Sequence, residues 1–274
     1  MRTIAVTSGK GGVGKSTISL NLGITLSQLG SKAIVFDCDF ALANLDLFLQ
    51  VQPEFNLRHV LSGEKSIKEI VATGPNGVGI IAGASAIGSL IHAGPKRLNL
   101  FLEQIKELER FCDFMIFDTG AGIDSKVMTI LRAAHDVALV TTPDPASVTD
   151  SYAVSKVLFR QRPESKVYVL ANQVKNEFEG YALHRTLNTI SQKFLKQELD
   201  YLGHVRRDEK AAALVRRRMP FAGQNPPLDA SNDLEVIGQQ IRKWKKPIDS
   251  FYENLASASA QAVEETFSPI LSAA

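Results

Sequence analysis

The chain is poor in cysteine: Cys38 and Cys112 are the only two among 274 residues, and they form no CxxC pair. Two distant cysteines disfavour a disulfide scaffold, a zinc site and an iron–sulfur cluster. The longest stretch without a charged side chain, residues 70–95, contains six glycines and two prolines, which excludes a membrane-spanning helix there. Charge is also nearly balanced, at +2, so bulk charge does not indicate a nucleic-acid binder.

What is present is the composition of a globular protein, with 45% apolar and 22% charged residues. Short, nearly continuous apolar runs alternate with longer segments of helical period, and no secretory signal precedes them. This pattern predicts an α/β fold: a doubly wound, mostly parallel sheet with helices on both faces. We expect strands at 3–8, 33–37, 78–82, 114–118, 137–141, 166–171 and 201–205. We expect helices at 16–29, 96–111, 125–134, 147–159, 181–198, 210–217 and 230–245.

The strongest motif is the sequence GKGGVGKS at residues 9–16, which matches the phosphate-loop pattern GxxxxGK[ST] between a strand and a helix. Glycines let several backbone N–H groups point at one phosphate, and the helix N-terminus favours its negative charge. Lys15 is expected to reach the β- and γ-phosphates, and the Ser16 hydroxyl is expected to bind Mg²⁺. The other residues expected to contact the nucleotide here are Gly11, Gly12, Val13, Gly14 and Thr17.

Acidic residues follow two of the predicted strands. Asp37 and Asp39 close the second strand, and Asp118 ends the apolar strand at 114–118, which is the Walker B arrangement. Ligands bind at the carboxyl ends of strands in open parallel sheets, so these carboxylates are expected near the phosphate loop. Asp118 is expected to hold Mg²⁺ through a water molecule, since this ion keeps much of its hydration shell.

A second lysine inside the loop, Lys10, produces the run KGGVGKST, which resembles the deviant Walker motif of the MinD/ParA family of P-loop ATPases. The resemblance extends over most of the chain and implies ATP and Mg²⁺ as cofactors, ATP hydrolysis, and a homodimer in the ATP state. It implies that Lys10 acts catalytically by reaching the partner's nucleotide across the dimer interface. It also implies that Asp39 orients the attacking water and lies at the metal.

Other segments resemble further motifs of this family. Residues 40–46 resemble switch I, with Asn44 near the γ-phosphate, and residues 119–123 resemble switch II. Asn172 matches the asparagine that reads adenine. On the other side of the base, Asp208 is retained, whereas Arg206 stands where relatives usually carry proline; both are expected to contact the nucleotide.

Within the family, the chain resembles the flagellar branch, named FlhG or FleN, in residues 43–46, 118–123, 147–152 and 169–172. That branch limits flagellar number through the flagellar GTPase FlhF or a flagellar transcription activator. Many relatives have an N-terminal DQAxxLR-type stretch, whereas the first strand here begins at about residue 3, so direct stimulation of the GTPase is not expected. The alternative is a positioning ATPase of division-site selection or DNA or cargo partitioning. No specific nucleic acid is predicted, since the basic segment 206–218 lacks interleaved aromatic residues.

The last 28 residues differ from the remainder, so we expect an ATPase domain at 1–246 and a tail at 247–274. The tail has four acids and no Lys or Arg; because the whole chain is +2, the rest carries +6. Phe251, Leu255, Ala258 and Ala262 share one face of a possible short amphipathic helix, limited by Pro269. We expect this tail to dock on the body, first at the basic residues 216–218, or to bind a protein partner, rather than to anchor in a membrane by itself. The predicted location is cytoplasmic, with peripheral association at the inner face of the membrane left open.

Overall fold

The computed structural model describes residues 1–38, 54–81 and 95–271. In that part of the chain the strands are β1 (Arg2–Ser8), β2 (Ala33–Cys38), β3 (Ala72–Thr73), β4 (Gly79–Ile81), β5 (Phe114–Ala121), β6 (Asp136–Thr141), β7 (Val167–Val174) and β8 (Asp200–Arg206). The α-helices are α1 (Lys15–Gln28), α2 (Leu57–Leu61), α3 (Pro95–Leu108), α4 (Ser125–Ala133), α5 (Pro145–Gln161), α6 (Glu177–Leu195), α7 (Glu209–Arg216), α8 (Asp229–Arg242) and α9 (Phe251–Leu271).

The strands form one sheet in the order β3-β4-β2-β5-β1-β6-β7-β8. Every neighbouring pair is parallel except β3 and β4, which are antiparallel. The doubly wound, mostly parallel sheet predicted from the sequence is therefore confirmed. Because β1 lies between β5 and β6, the loop that follows β1 emerges near the centre of the carboxyl edge, where ligands bind in such sheets.

Apolar side chains fill both faces of the sheet. On one face the helices α1 and α8 pack through residues such as Leu22, Leu26 and Leu234, which are fully buried. On the other face α3, α4, α5 and α9 contribute to a second cluster that includes Phe36 and Phe117. Both faces of the central strands are thus buried, which explains their nearly unbroken apolar runs.

All seven predicted strands are present, with boundaries that differ by one to three residues. The short strand β3 was not predicted, because two residues, Ala72 and Thr73, are too few to produce a periodic pattern. Two helices begin two to four residues earlier than predicted. Asn176 caps α6 by accepting a hydrogen bond from the Glu179 backbone N–H, and Pro145 occupies the first turn of α5. Both are recognisable helix-start signals.

The tail forms the helix α9, which packs on the body through Phe251, Leu255 and Ala258 of the apolar face expected for it, whereas the side chain of Ala262 lies outside the described part. The Phe251 ring stacks on Phe117 with 4.8 Å between the ring centroids, and Leu255 and Ala258 are also buried. The expectation that this segment docks at residues 216–218 is wrong. Those arginines lie at the end of α7 and directly after it, and α7 packs on the opposite face of the sheet. Burial of apolar area rather than surface charge determines where α9 lies.

The helix α9 is also longer than the short helix expected, since it runs to Leu271. Pro269 falls in the last turn of the helix and therefore does not end it before that turn. Among the helices of the described residues, none combines the length and apolar character needed to cross a bilayer.

Candidate nucleotide site

The phosphate loop connects the end of β1 to the start of α1, as predicted. Gly14, the residue before α1, has φ 95°, a left-handed conformation that a side chain would strain. Gly9 is close to α5, and a Cβ atom built on it would lie 2.1 Å from the Asp150 carbonyl carbon. These two positions therefore require glycine for backbone conformation and for close approach.

Three hydrogen bonds hold the phosphate loop and the end of β1 in position. The Asn172 side-chain amide, at the end of β7, donates to the Val13 carbonyl oxygen at 2.7 Å. The backbone N–H of Gly122, in the segment resembling switch II, donates to the Ser8 carbonyl oxygen at 2.9 Å. The Ser8 hydroxyl in turn donates to the Lys10 carbonyl oxygen at 2.7 Å. The loop is thus shaped by the protein itself and is tied directly to β7 and to the switch II segment.

Lys15 begins α1, and its side chain is largely enclosed, with 7% of the residue exposed. Among the ion pairs formed by the described residues, none includes Lys15. A buried ammonium group is costly unless an anion accompanies it, so this position suits the phosphate that the motif predicts. Ser16 follows and is partly exposed at the same end of the helix.

Two buried carboxylates lie side by side at the carboxyl edge of the sheet. Asp37 of β2 is the register partner of Asp118 of β5, and each residue is 1% exposed. The Ser19 hydroxyl, one turn into α1, donates to Asp118 Oδ1 at 3.0 Å. Oxygen ligands of this kind, next to the phosphate loop, fit a hydrated Mg²⁺ ion. Sequence reasoning missed Ser19, although its spacing of three from Ser16 places both on one side of α1.

Asp39 and the switch I segment with Asn44 lie outside the described residues. Their expected roles in orienting water and contacting the γ-phosphate therefore remain predictions.

Lys10 points away from the enclosed part of the loop and pairs with Asp144, with 2.6 Å between Nζ and Oδ2. Both side chains are about half exposed. The hydrogen bond between the two side chains is the largest cause of both pKa shifts: it raises the pKa of Lys10 and lowers the pKa of Asp144. The attraction between their opposite charges acts in the same direction. Asp144 also caps α5 by accepting from the Ala146 backbone N–H. The sequence analysis did not include Asp144, although an acid directly before a proline is a helix-start signal.

A groove of about 450 Å³ adjoins the loop on the side away from Lys10. Gly14, Thr17 and Ile18 form one end, and Asn172 lies beside them. The remaining lining comes from the end of β8, from α7 and from Phe221. The predicted nucleotide residues Thr17, Asn172, Arg206 and Asp208 are thus brought together around one cavity of a size that suits a base and ribose.

Arg206 and Asp208 line this groove while making strong contacts within the protein. The Arg206 guanidinium donates to both carboxylate oxygens of Asp233 on α8, at 2.8 to 3.1 Å, and this pairing raises the pKa of Arg206. Asp208 caps α7 by accepting from the backbone N–H groups of Lys210 and Ala211. Both side chains therefore have a structural task that the sequence pattern did not reveal.

Comparison with known proteins places this site in a family. A family model described as an AAA domain matches residues 1–158. The antiactivator FleN of Pseudomonas aeruginosa is 33% identical over 247 residues, which is 90% of this chain and 88% of FleN. The chain belongs to the MinD/ParA family of P-loop ATPases. The family membership predicted from the sequence KGGVGKST at residues 10–17 is confirmed.

Two further comparisons locate the chain within the MinD/ParA family. The flagellum site-determining protein YlxH of Helicobacter pylori is 38% identical over 217 residues, covering 78% of this chain and 73% of YlxH. The septum site-determining protein MinD of Pyrococcus horikoshii, solved with Mg-ADP, superposes with a TM-score of 0.70 at 25% identity. That match covers 88% of this chain and 96% of the MinD chain. The chain is most similar to the flagellar FlhG (FleN) members of the MinD/ParA family.

Proposed function

We propose that the chain is a dimerising ATPase switch that regulates the number or placement of flagella through partner proteins. The observation that supports the switch is the position of Lys10. This lysine belongs to the phosphate loop, but its side chain extends to the protein surface, where a second chain can approach. A cation supplied by that second chain can neutralise charge that develops on the γ-phosphate during hydrolysis. Hydrolysis then depends on dimerisation.

Each residue of the nucleotide site has a proposed role. The loop amides of residues 11–14 and the enclosed Lys15 hold the phosphates, Thr17 holds the α-phosphate, and Asn172 meets the base. Ser16, Asp118 and Asp39, the last of which lies outside the described residues, would hold Mg²⁺, and the ion would supply positive charge to the phosphate oxygens. Asp39 orients the attacking water. Arg206 and Asp208 enclose the base side of the groove.

The flagellar role rests on the similarity to FleN and YlxH. The word antiactivator in the name of FleN favours a flagellar transcription activator as the partner, and the GTPase FlhF is the other candidate. We propose a cytoplasmic location, with α9 docked on the body in the single chain. The similarity to MinD supports a second candidate, a positioning ATPase for division-site selection or cargo partitioning.

Complementation separates these two candidates. The chain is expressed in Pseudomonas aeruginosa lacking FleN, and flagella per cell and cell length are counted, with the Lys15→Ala variant as the inactive control. Restoration of the normal flagellar number by the parent and not by the variant supports the flagellar proposal. Unchanged flagellar number together with displaced septa contradicts it and favours the second candidate.

A further inference from the structure

A second groove, distinct from the nucleotide site, runs along the free edge of the sheet. β8 is the last strand of the sheet and pairs with β7 on one side only. Four consecutive residues of this strand, Tyr201 to His204, line a cavity of about 500 Å³. Its walls come from the beginning of α6 and from α8, which pack on opposite faces of the sheet. The strand β8 thus forms the floor of the groove, and two helices form its walls.

Apolar side chains line this groove or lie next to it. Val236 of α8 lines the groove and is 66% exposed. Tyr181 of α6 is 54% exposed, and its ring meets that of the lining residue Tyr201 edge-on at 5.9 Å. A single exposed apolar residue is ordinary, but two beside one groove favour a protein interaction site.

The groove is negatively charged. Asp233 on one wall is compensated by Arg206, whereas Glu177 on the other wall has no ion-pair partner among the described residues. Burial, followed by the negative charges of Glu177 and Asp233, raises the pKa of the Tyr201 hydroxyl to about 12. A cationic side chain entering the groove would compensate Glu177.

We propose that this groove binds an extended, basic segment of a partner protein, which pairs with the free edge of β8. An extended chain fits because β8 pairs with another strand on one side only, and an unpaired strand edge is a template for a further strand. One apolar residue of the segment packs against Val236, and a lysine or arginine faces Glu177. Arg206 lines both this groove and the nucleotide groove, so the segment would contact a residue shared with the nucleotide site. Binding of such a segment does not depend on ATP hydrolysis.

The test is selection of linear twelve-residue peptides from a phage-displayed library on the full chain. Selected peptides are synthesised, and their affinity is measured by fluorescence anisotropy. We expect peptides that alternate apolar residues with Lys or Arg and that slow hydrogen exchange in residues 200–206. N-methylation of alternate backbone amides, which blocks strand pairing, should abolish binding in one of the two registers.

Variants with matched controls locate the binding. Glu177→Lys should weaken the selected peptides about tenfold or more, and Val236→Ala about threefold or more, as expected when a charged or an apolar anchor is lost. The controls are Glu64→Lys, an equal charge change far from the groove, and Ile248→Ala, at an exposed aliphatic residue that does not line the groove. Both controls should bind like the parent, and all four variants should unfold like it because the changed side chains are exposed.

Several outcomes would overturn the proposal. These are a selection that yields no binding peptide, protection from exchange outside the groove, and equal binding by parent, Glu177→Lys and Val236→Ala. Bound peptides that are helical or acidic would also contradict it. A change in self-association caused by the groove variants would assign the surface to contact between copies of this chain instead.

Discussion

Lys10 and Asp144 form an ion pair within one chain, with 2.6 Å between the lysine nitrogen and a carboxylate oxygen at the start of α5. In the proposed active dimer the same lysine serves the nucleotide of the other chain. The Lys10 ammonium group cannot fully contact both Asp144 of its own chain and the nucleotide of the second chain. The ion pair with Asp144 therefore competes with the proposed dimer. Asp144 therefore favours the single, inactive chain.

Replacing Asp144 with Asn should promote dimerisation. Asparagine keeps the cap on α5 but removes the charge that holds Lys10. Since both side chains are exposed, the effect is modest: the ATP-bound dimer should form at about two- to fivefold lower protein concentration. Analytical ultracentrifugation with ATP and Mg²⁺ measures this midpoint.

Salt provides the control for Asp144→Asn. The Lys10–Asp144 attraction is screened by added salt, so parent and variant should converge at about 1 M salt. A variant that dimerises less readily than the parent at low salt would show that Asp144 supports the dimer rather than competing with it.

Asp39→Ala should trap the dimer in the ATP state. The proposal gives Asp39 the task of orienting water, while Lys15 and Ser16 hold the nucleotide. Loss of the carboxylate should slow hydrolysis and leave the dimer contacts in place, so gel filtration with ATP should show a longer-lived dimer than the parent gives. Failure of the variant to bind ATP would instead assign Asp39 to the metal or to the fold.

Phe251→Ala should destabilise the whole domain, although Phe251 belongs to the tail. Its buried ring stacks on Phe117, the residue before Asp118, and truncating such a side chain costs about 3–5 kcal/mol. Phe194→Ala, at an exposed position, is the matched control and should change the free energy of unfolding by less than about 0.5 kcal/mol. Urea denaturation compares the two. Equal stabilities would mean that α9 contributes nothing to the body.

Asn172→Asp tests the contact between β7 and the phosphate loop. A carboxylate has the shape of the amide but cannot donate to the Val13 carbonyl oxygen, and it brings a negative charge to it. The variant should bind ATP more weakly than Asn172→Ala does. In Asn172→Ala, loss of the hydrogen bond should weaken the free energy of ATP binding by about 1 kcal/mol at most. Titration calorimetry ranks the three proteins. Parent-like affinity of Asn172→Asp would show that the Asn172–Val13 hydrogen bond does not shape the nucleotide site.

The parts of the site that follow directly from local sequence were predictable. Asp118 ends the apolar run of β5, and the phosphate loop lies between a strand and a helix, so spacing alone placed both at the carboxyl edge of the sheet. The fold followed from the same alternation of strands and helices.

Contacts between distant segments were not predictable in this way. The pair Lys10–Asp144 joins residues 134 apart, and Asn172 reaches Val13 across 159 residues. Local periodicity carries no information on such pairings. The position of α9 was predicted wrongly because the prediction relied on surface charge and not on the burial of apolar area. Phe251 packs beside Phe117 in an apolar environment, which the basic surface at residues 216–218 does not provide.

The most direct test of the account is ATP turnover by Lys10→Ala, measured together with ATP affinity. Lys10 is proposed to act on the nucleotide of the second chain, so the variant should bind ATP within a few-fold of the parent. Its turnover should fall by about 10- to 1000-fold, at or below the scale known for cations that stabilise a transferring phosphoryl group. Lys32→Ala, at another exposed lysine, should match the parent in both measurements. Turnover by Lys10→Ala at the parent rate would contradict the account.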